Sequence, residues 1–321
     1  MKAIVFTHYG LSDVLQIVEL EKPVPQESQV LIKVHSASIN ALDYRKMRAS
    51  PFFLRFMGGG LLKPKDPRLG RDVAGRVEAV GENVEKFQPG DEVFGCATGA
   101  FAEYALAREA DLAIKPANRT FEEAAAVPVA ALTALQGIRH AGGIRPWQKV
   151  LIQGASGGVG TYAVQLTKSS GAEVTAVCST RNLDMVRSIG ADHVIDYARQ
   201  DFTRSRQLYD LIFAVNGYHS LAAYKRALSP QGVYVCAGGS MPQIFQAMLL
   251  GSLMSRGGDK KLGSMGVAKV NQEDLVYLGE LLSAGKIAPI IDRCYPLSEI
   301  TEAFRYVEEE HAQGKVVITL V

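Results

Sequence analysis

A chain of 321 residues, 47% apolar and 21% charged, has the length of about two domains and the composition of an ordinary globular protein. Its formal net charge of +2 argues against a dedicated nucleic-acid binder, which needs a basic excess to neutralise phosphates, and makes metabolites the expected partners. Four scattered cysteines, Cys96, Cys178, Cys236 and Cys294, form no paired motif and imply free thiols, while no apolar run reaches the roughly 20 residues of a membrane span.

Met1 leads straight into a strand-like AIVF with no signal or transit pattern, so the expected location is cytoplasmic. Residues 3–6, 30–34, 73–80, 92–94 and 102–107 read as strands separated by turn signals such as Pro89-Gly90-Asp91, which predicts a compact antiparallel barrel or sandwich. Residues 48–68, RASPFFLRFMGGGLLKPKDPR, break this pattern and read as a long loop: a lid over an apolar substrate, a peripheral patch for a membrane surface, or a plain surface loop. Thr120 with Glu123 makes a capping box before an alanine run, and Pro128 interrupts before a second helix that continues through Ile138.

Residues 149–179, KVLIQGASGGVGTYAVQLTKSSGAEVTAVCS, then read as strand, glycine-rich turn, helix and strand. Val150, Leu151 and Ile152 suit a strand buried on both faces, and Val159, Ala163 and Leu166 give the following helix one apolar face. In that βαβ context Ser156, Gly157, Gly158 and Val159 are expected to hold a dinucleotide pyrophosphate, with glycines admitting close approach and the helix start supplying N–H donors. Ala155 stands where the usual fingerprint has its first glycine.

About 20 residues beyond the glycines, where an NAD site carries a carboxylate, the chain reads Cys178-Ser179-Thr180-Arg181. A hydroxyl and a guanidinium attract a 2′-phosphate, so Ser179 and Arg181 predict NADPH as cofactor. Helices and strands keep alternating: helix 183–189, strands 193–195 and 211–215, helix 221–228, strand 233–236, an amphipathic helix 241–254 and a strand 261–267. Asn216 and the pair Ala237-Gly238 follow strands, at the sheet edge where such folds bind ligands. Helices at 274–282 and 300–307 and a strand at 316–320 exceed what one such sheet needs. They are expected to return to the first domain, giving 1–124 with 268–321 and, between them, 125–267.

Several motifs in this order resemble the medium-chain dehydrogenase/reductase superfamily: Gly70-Arg71-Asp72-Val73-Ala74-Gly75, Pro89-Gly90-Asp91, Gly99-Ala100-Phe101-Ala102-Glu103-Tyr104, Ala125-Ala126-Val127-Pro128, Gly154 to Gly160 and Gly314-Lys315-Val316-Val317. The chain is most similar to its zinc-free quinone oxidoreductases, including the chloroplast-envelope branch, through the stretch from Cys178 to Tyr197. The resemblance implies an α/β fold, a Rossmann doubly wound parallel sheet plus a discontinuous GroES-like β-rich catalytic domain. It places Asn40 and Thr133 near the nicotinamide ribose and ring, and Tyr197 on the phosphate side of the adenosine. Zinc members of the superfamily have a cysteine where Asn40 stands and His-Glu where Arg71-Asp72 stands, so no metal is expected.

Without a Lewis acid, hydride transfer to a quinone or to the β-carbon of an α,β-unsaturated carbonyl is favoured, because conjugation spreads the developing charge. Tyr44, close in sequence to Asn40, is a candidate proton donor, and Asp43 is expected to orient backbone or an arginine rather than perform acid-base work. The expectation is an NADPH-dependent oxidoreductase reducing quinones or enones and assembling as a homodimer through residues 261–267. The alternatives are a zinc-type alcohol dehydrogenase and an NADPH-binding regulatory or structural protein with little activity.

Overall fold

The computed structural model describes residues 1–50, 55, 60–256, 258–309 and 312–320, so much of the segment 48–68 lies outside the described residues. Among them the chain forms two compact units, one of Met1–Ala130 with Val270–Val321 and one of Ala131–Lys269.

In the first unit the strands Ile291–Pro296, Lys315–Thr319, Gln29–Ser38, Asp72–Val80, Glu92–Cys96 and Leu112–Ile114 lie side by side in that order, with Tyr104–Arg108 also paired to Gln29–Ser38. Neighbours run antiparallel except Ile291–Pro296 and Lys315–Thr319, which run parallel. A separate antiparallel pair joins Lys2–Phe6 to Leu15–Glu19. Alternation along Gln29–Ser38 turns Val30, Ile32 and Val34 into a core that also holds Phe6, Val73, Phe101 and Phe304, all buried. Phe101 and Phe304 meet edge to face with centroids 5.7 Å apart, which fixes the helix Ile300–Glu308 against the β-rich part of the unit. The expected capping box is present: Thr120 Oγ1 accepts from Glu123 N at 3.2 Å, and Glu123 Oε2 accepts from Thr120 N at 2.9 Å.

The second unit is built on an all-parallel six-stranded sheet in the order His193–Asp196, Glu173–Cys178, Lys149–Gln153, Tyr209–Ala214, Leu228–Cys236, Lys261–Ser264. Numbered along the chain within this sheet, the order is 3-2-1-4-5-6, and the order in which strands are added reverses beside Lys149–Gln153, so the crevice beyond its carboxyl end is where such sheets take ligands. Val150, Leu151 and Ile152 are fully buried, as a central strand covered on both faces requires.

Two sequence expectations are corrected here. The final strand of this sheet ends at Ser264 rather than 267. The helix Met241–Met254 is not amphipathic in the usual sense: it buries Gln243, Ala247 and Gly251 while leaving Phe245, Met248, Leu249, Leu250 and Leu253 exposed. Close packing is the reason, since a Cβ on Gly251 would stand 2.7 Å from Leu262 O. Ala247 and Gly251 therefore lie against the sheet with Gln243, Ile244 and Met254, while five large apolar residues stay exposed.

Candidate functional site

The glycine turn sits at the carboxyl end of the central strand, and both neighbouring strands hold it. Gly154 N and Ala155 N each donate to Val177 O at 3.1 Å, while Gln153 O accepts Val215 N at 3.0 Å and Asn216 N at 3.4 Å. The helix Gly158–Ser169 starts at once, and its first backbone bond into the turn runs from Thr161 N to Gly157 O at 3.0 Å. Gly157 N is taken up within the turn by Gly154 O at 3.3 Å, and the N–H groups of Gly158, Val159 and Gly160 are those of a helix start. Two glycines here have opposite reasons. A Cβ on Gly160 would stand 2.1 Å from Gly154 O, so glycine lets the helix pack onto the turn. A Cβ on Gly157 would meet only Gly154 O, at 3.8 Å, so the space above the turn is open to a ligand.

Ser156 and Ser179, 23 residues apart in the chain, are joined by a third side chain. Asn182 Nδ2 donates to Ser156 Oγ at 2.8 Å and to Ser179 Oγ at 3.1 Å. Asn182 is buried, and its Oδ1 has no partner among the described residues. Thr180 turns the other way, donating through Oγ1 to Asp196 Oδ2 at 2.6 Å. That hydrogen bond is the main reason the Asp196 carboxyl is held below its usual range, with further help from Ala198 N. Arg181 stands exposed beside these groups in the chain.

Tyr197 is 52% exposed and meets Tyr218 edge to face, with centroids 6.4 Å apart. Asn216 is exposed beyond its strand and packs close to Gly154, where a Cβ would stand 3.0 Å from Asn216 Cβ. Ala237 N and Gly238 N donate to Ala214 O at 2.9 and 3.3 Å, which places both half-buried residues at the same edge of the sheet. Thr133 is half-buried on the helix Pro128–His140.

The first unit holds the other candidates. Asn40 precedes the helix Ala41–Arg48, and Asp43 Oδ2 accepts its backbone N–H at 2.8 Å while Oδ1 accepts Gly70 N at 3.1 Å. Asp43 therefore orients backbone, as expected. Burial raises its carboxyl to about 6, with the two N–H groups opposing and Asp72 adding to the rise. The Asn40 amide is committed at both ends. Its Nδ2 donates to Asp72 Oδ2 at 2.9 Å, and its Oδ1 accepts from Lys315 Nζ at 2.7 Å. Lys315 is buried and also donates to Ile39 O at 3.0 Å and to Asp72 Oδ2 at 3.2 Å. Asp72 completes the cluster by accepting Ser38 Oγ at 2.7 Å and Val129 N at 2.9 Å. Arg71, beside it in the chain, is exposed. Tyr44 is half-buried against the apolar core, and its hydroxyl makes no hydrogen bond among the described residues.

This arrangement matches known proteins at both ends of the chain. Residues 26–117 match a family model described as alcohol dehydrogenase GroES-like domain, and residues 189–318 match one described as zinc-binding dehydrogenase. Mouse "NAD(P)H oxidoreductase RTN4IP1, mitochondrial" is 34% identical over all of this chain and 89% of that protein. "Quinone-oxidoreductase QR1, chloroplastic" of Triphysaria versicolor is 33% identical, covering 99% of this chain and 98% of that one. The solved quinone oxidoreductase from Coxiella burnetii is 30% identical with a TM-score of 0.89, covering 100% of this chain and 99% of that chain. The chain belongs to the medium-chain dehydrogenase/reductase superfamily.

Within that superfamily of oxidoreductases it falls in the quinone oxidoreductase branch, and its two units are the GroES-like and Rossmann parts of that fold. Three side chains central to this member's geometry were not read as site residues in the sequence. Lys315 stands in the motif Gly314-Lys315-Val316-Val317 but is given no role there, whereas Asn182 and Tyr218 carry faint signals: an asparagine three residues after Ser179, and an aromatic two after Asn216.

Proposed function

We propose that this superfamily member is a zinc-independent reductase that uses NADPH to reduce quinones or α,β-unsaturated carbonyls. The observation that carries the proposal is the buried ammonium of Lys315, 3.2 Å from Asp72 and 2.7 Å from Asn40, at the residues that would have to bind a catalytic zinc. A resident cation repels a second one, the Asn40 amide is already bonded at both ends, and Arg71 is no zinc ligand. Among the described residues no group of three or more His, Cys, Asp or Glu side chains could hold a metal ion. The donor set therefore does not fit zinc, despite the wording of one matching family model.

The second unit fits a dinucleotide. Ser156, Gly157, Gly158 and Val159 would hold the pyrophosphate, and Ser179 with Arg181 would take the 2′-phosphate. Tyr197, Asn216, Ala237 and Gly238 would line the nucleotide at the sheet edge. NADPH, when bound, supplies a hydride. Asn40, held rigid by Lys315 and Asp72, and Thr133 would orient the ring end. The hydroxyl of Tyr44 would donate a proton to the reduced acceptor. An acceptor whose conjugation spreads charge needs no more than this.

The test is NADPH oxidation by the purified chain over a panel of quinones, enals, enones and unactivated ketones, with metal content measured on the same sample. Turnover confined to the conjugated acceptors, without stoichiometric zinc, is the expected result. Zinc-dependent ketone turnover, or tight NADPH binding with no turnover, would overturn the proposal.

A second copy is the expected partner. The strand Lys261–Ser264 is the outer strand of its sheet, and beside it the helix Met241–Met254 exposes Phe245, Met248, Leu249, Leu250 and Leu253. Such an apolar strip next to an unpaired strand edge suits a twofold interface. Sedimentation should give a dimer, and Leu249→Asp should make it a monomer. A reducing compartment such as the cytoplasm accords with four free cysteines, three of them buried. No helix among the described residues is long and apolar enough to cross a membrane.

A further inference from the structure

We infer that Asn182 is a positioning residue for cofactor choice: it sets the direction of the Ser156 and Ser179 hydroxyls so that their hydrogens point to an anionic ligand. The inference rests on the NADPH reading above and assigns a role to a side chain that takes no direct part in it.

Asn182 Nδ2 has two protons to donate and two serine oxygens within reach, Ser156 Oγ at 2.8 Å and Ser179 Oγ at 3.1 Å. A serine oxygen that accepts from the amide must send its own hydrogen elsewhere. The reverse orientation of the amide would bury two N–H donors without acceptors. The orientation present leaves only Oδ1 unpartnered, and an under-satisfied carbonyl costs less than two orphaned donors.

The neighbouring hydroxyl shows that this is selective. Thr180 Oγ1 donates inward to Asp196 at 2.6 Å, so its hydrogen is committed within the protein. Ser179, one residue earlier, accepts from Asn182 and keeps its hydrogen available. A phosphate has acceptors and, when fully ionised, no donors, so it needs hydroxyls presented in this sense. A ribose hydroxyl can donate or accept and is served by either sense. Asn182 thereby favours a phosphorylated ribose at Ser179, while at Ser156 it helps a pyrophosphate common to both cofactors. Burial of Asn182 and its backbone bond to Ser179 O at 2.9 Å hold the amide in place.

The experiment measures dissociation constants for NADPH and NADH on the full chain by fluorescence titration, for wild type, Asn182→Ala, Ser179→Ala, the double variant and Arg181→Ala. Asn182→Ala is expected to lower the NADPH-over-NADH preference about three- to tenfold. In the Ser179→Ala background the same substitution should leave the remaining preference within about twofold, because the one hydroxyl Asn182 still directs, that of Ser156, serves a pyrophosphate common to both cofactors. A merely structural Asn182 would weaken both cofactors equally and leave the preference intact, and that outcome overturns the inference. If Asn182→Ala does not fold, Asn182→Asp carries the same test, since a carboxylate accepts from both serines and turns their hydrogens inward. Its preference should fall below that of Ser179→Ala, and an unchanged preference overturns the inference. Failure of the underlying reading looks different: wild type would show no preference, or Ser179→Ala and Arg181→Ala would leave it unaltered.

Discussion

The Asn40–Asp72–Lys315 cluster of the first unit and the Ser156–Ser179–Asn182 cluster of the second are both small hydrogen-bonded networks, and they end in opposite states. In the first, every polar atom of the Asn40 amide and the Asp72 carboxylate is matched inside the protein, with a cation among the partners. In the second, one buried amide organises two half-buried hydroxyls whose hydrogens have no acceptor among the described residues. A closed network holds a side chain still; an open one is ready for something the chain does not itself contain. Stability should therefore depend on the first cluster and affinity on the second.

Breaking the closed network should have the largest effect. Lys315→Met leaves Asp72 buried without its cation, and urea unfolding should show a loss of about 3–5 kcal/mol. A loss below about 1 kcal/mol would mean that water, not Lys315, neutralises the carboxylate. The open network should respond in affinity instead. Arg181→Ala should raise the NADPH dissociation constant about 10- to 100-fold and the NADH constant no more than about threefold, with stability within about 0.5 kcal/mol of wild type. Equal effects on the two cofactors would move the phosphate contact elsewhere.

Asp43 sharpens the contrast through pH. Its folded carboxyl lies near 6, above its ordinary range, so between about pH 4 and 6 the folded state holds a proton that the unfolded state has released. The Asp43 contribution to stability is complete below pH 4, falls as pH rises through 6 and is flat above. Unfolding measured across that range should show this slope in wild type, and Asp43→Asn should lack it. The smallest effect belongs to Tyr44→Phe, about threefold to tenfold on kcat with KM little changed, because solvent can supply the same proton. No change in kcat would reduce Tyr44 to a packing residue.

What was legible in the sequence follows the same division between pattern and contact. The βαβ unit through Cys178 was readable because a fully buried strand must be a continuous apolar run and its helix must show a period. The helix Ala41–Arg48, ALDYRKMR, escaped notice because it buries only Asp43 and Met47 and so shows no apolar period. The strands Leu15–Glu19 and Ile291–Pro296 escaped for a related reason: both are largely exposed, and exposure removes the alternation that marks a strand. The helix Met241–Met254 is legible as a helix but not as one with exposed apolar residues, since close packing selects Ala247 and Gly251 for the inside. Asn40 and Ser179 were readable from motif position. Lys315 stands in a readable motif, but its role is not legible there, because a buried lysine in the strand KVVIT is explained only by Ile39, Asn40 and Asp72, which lie more than 240 residues away in the chain.

Cofactor affinity tests most directly whether the second unit takes a 2′-phosphate, as proposed. Dissociation constants of the unmodified chain for NADPH and NADH, measured by calorimetry at low and at high salt, should differ by at least about tenfold in favour of NADPH, with the gap narrowing as salt rises. Equal affinities, or tighter binding of NADH, would contradict the account.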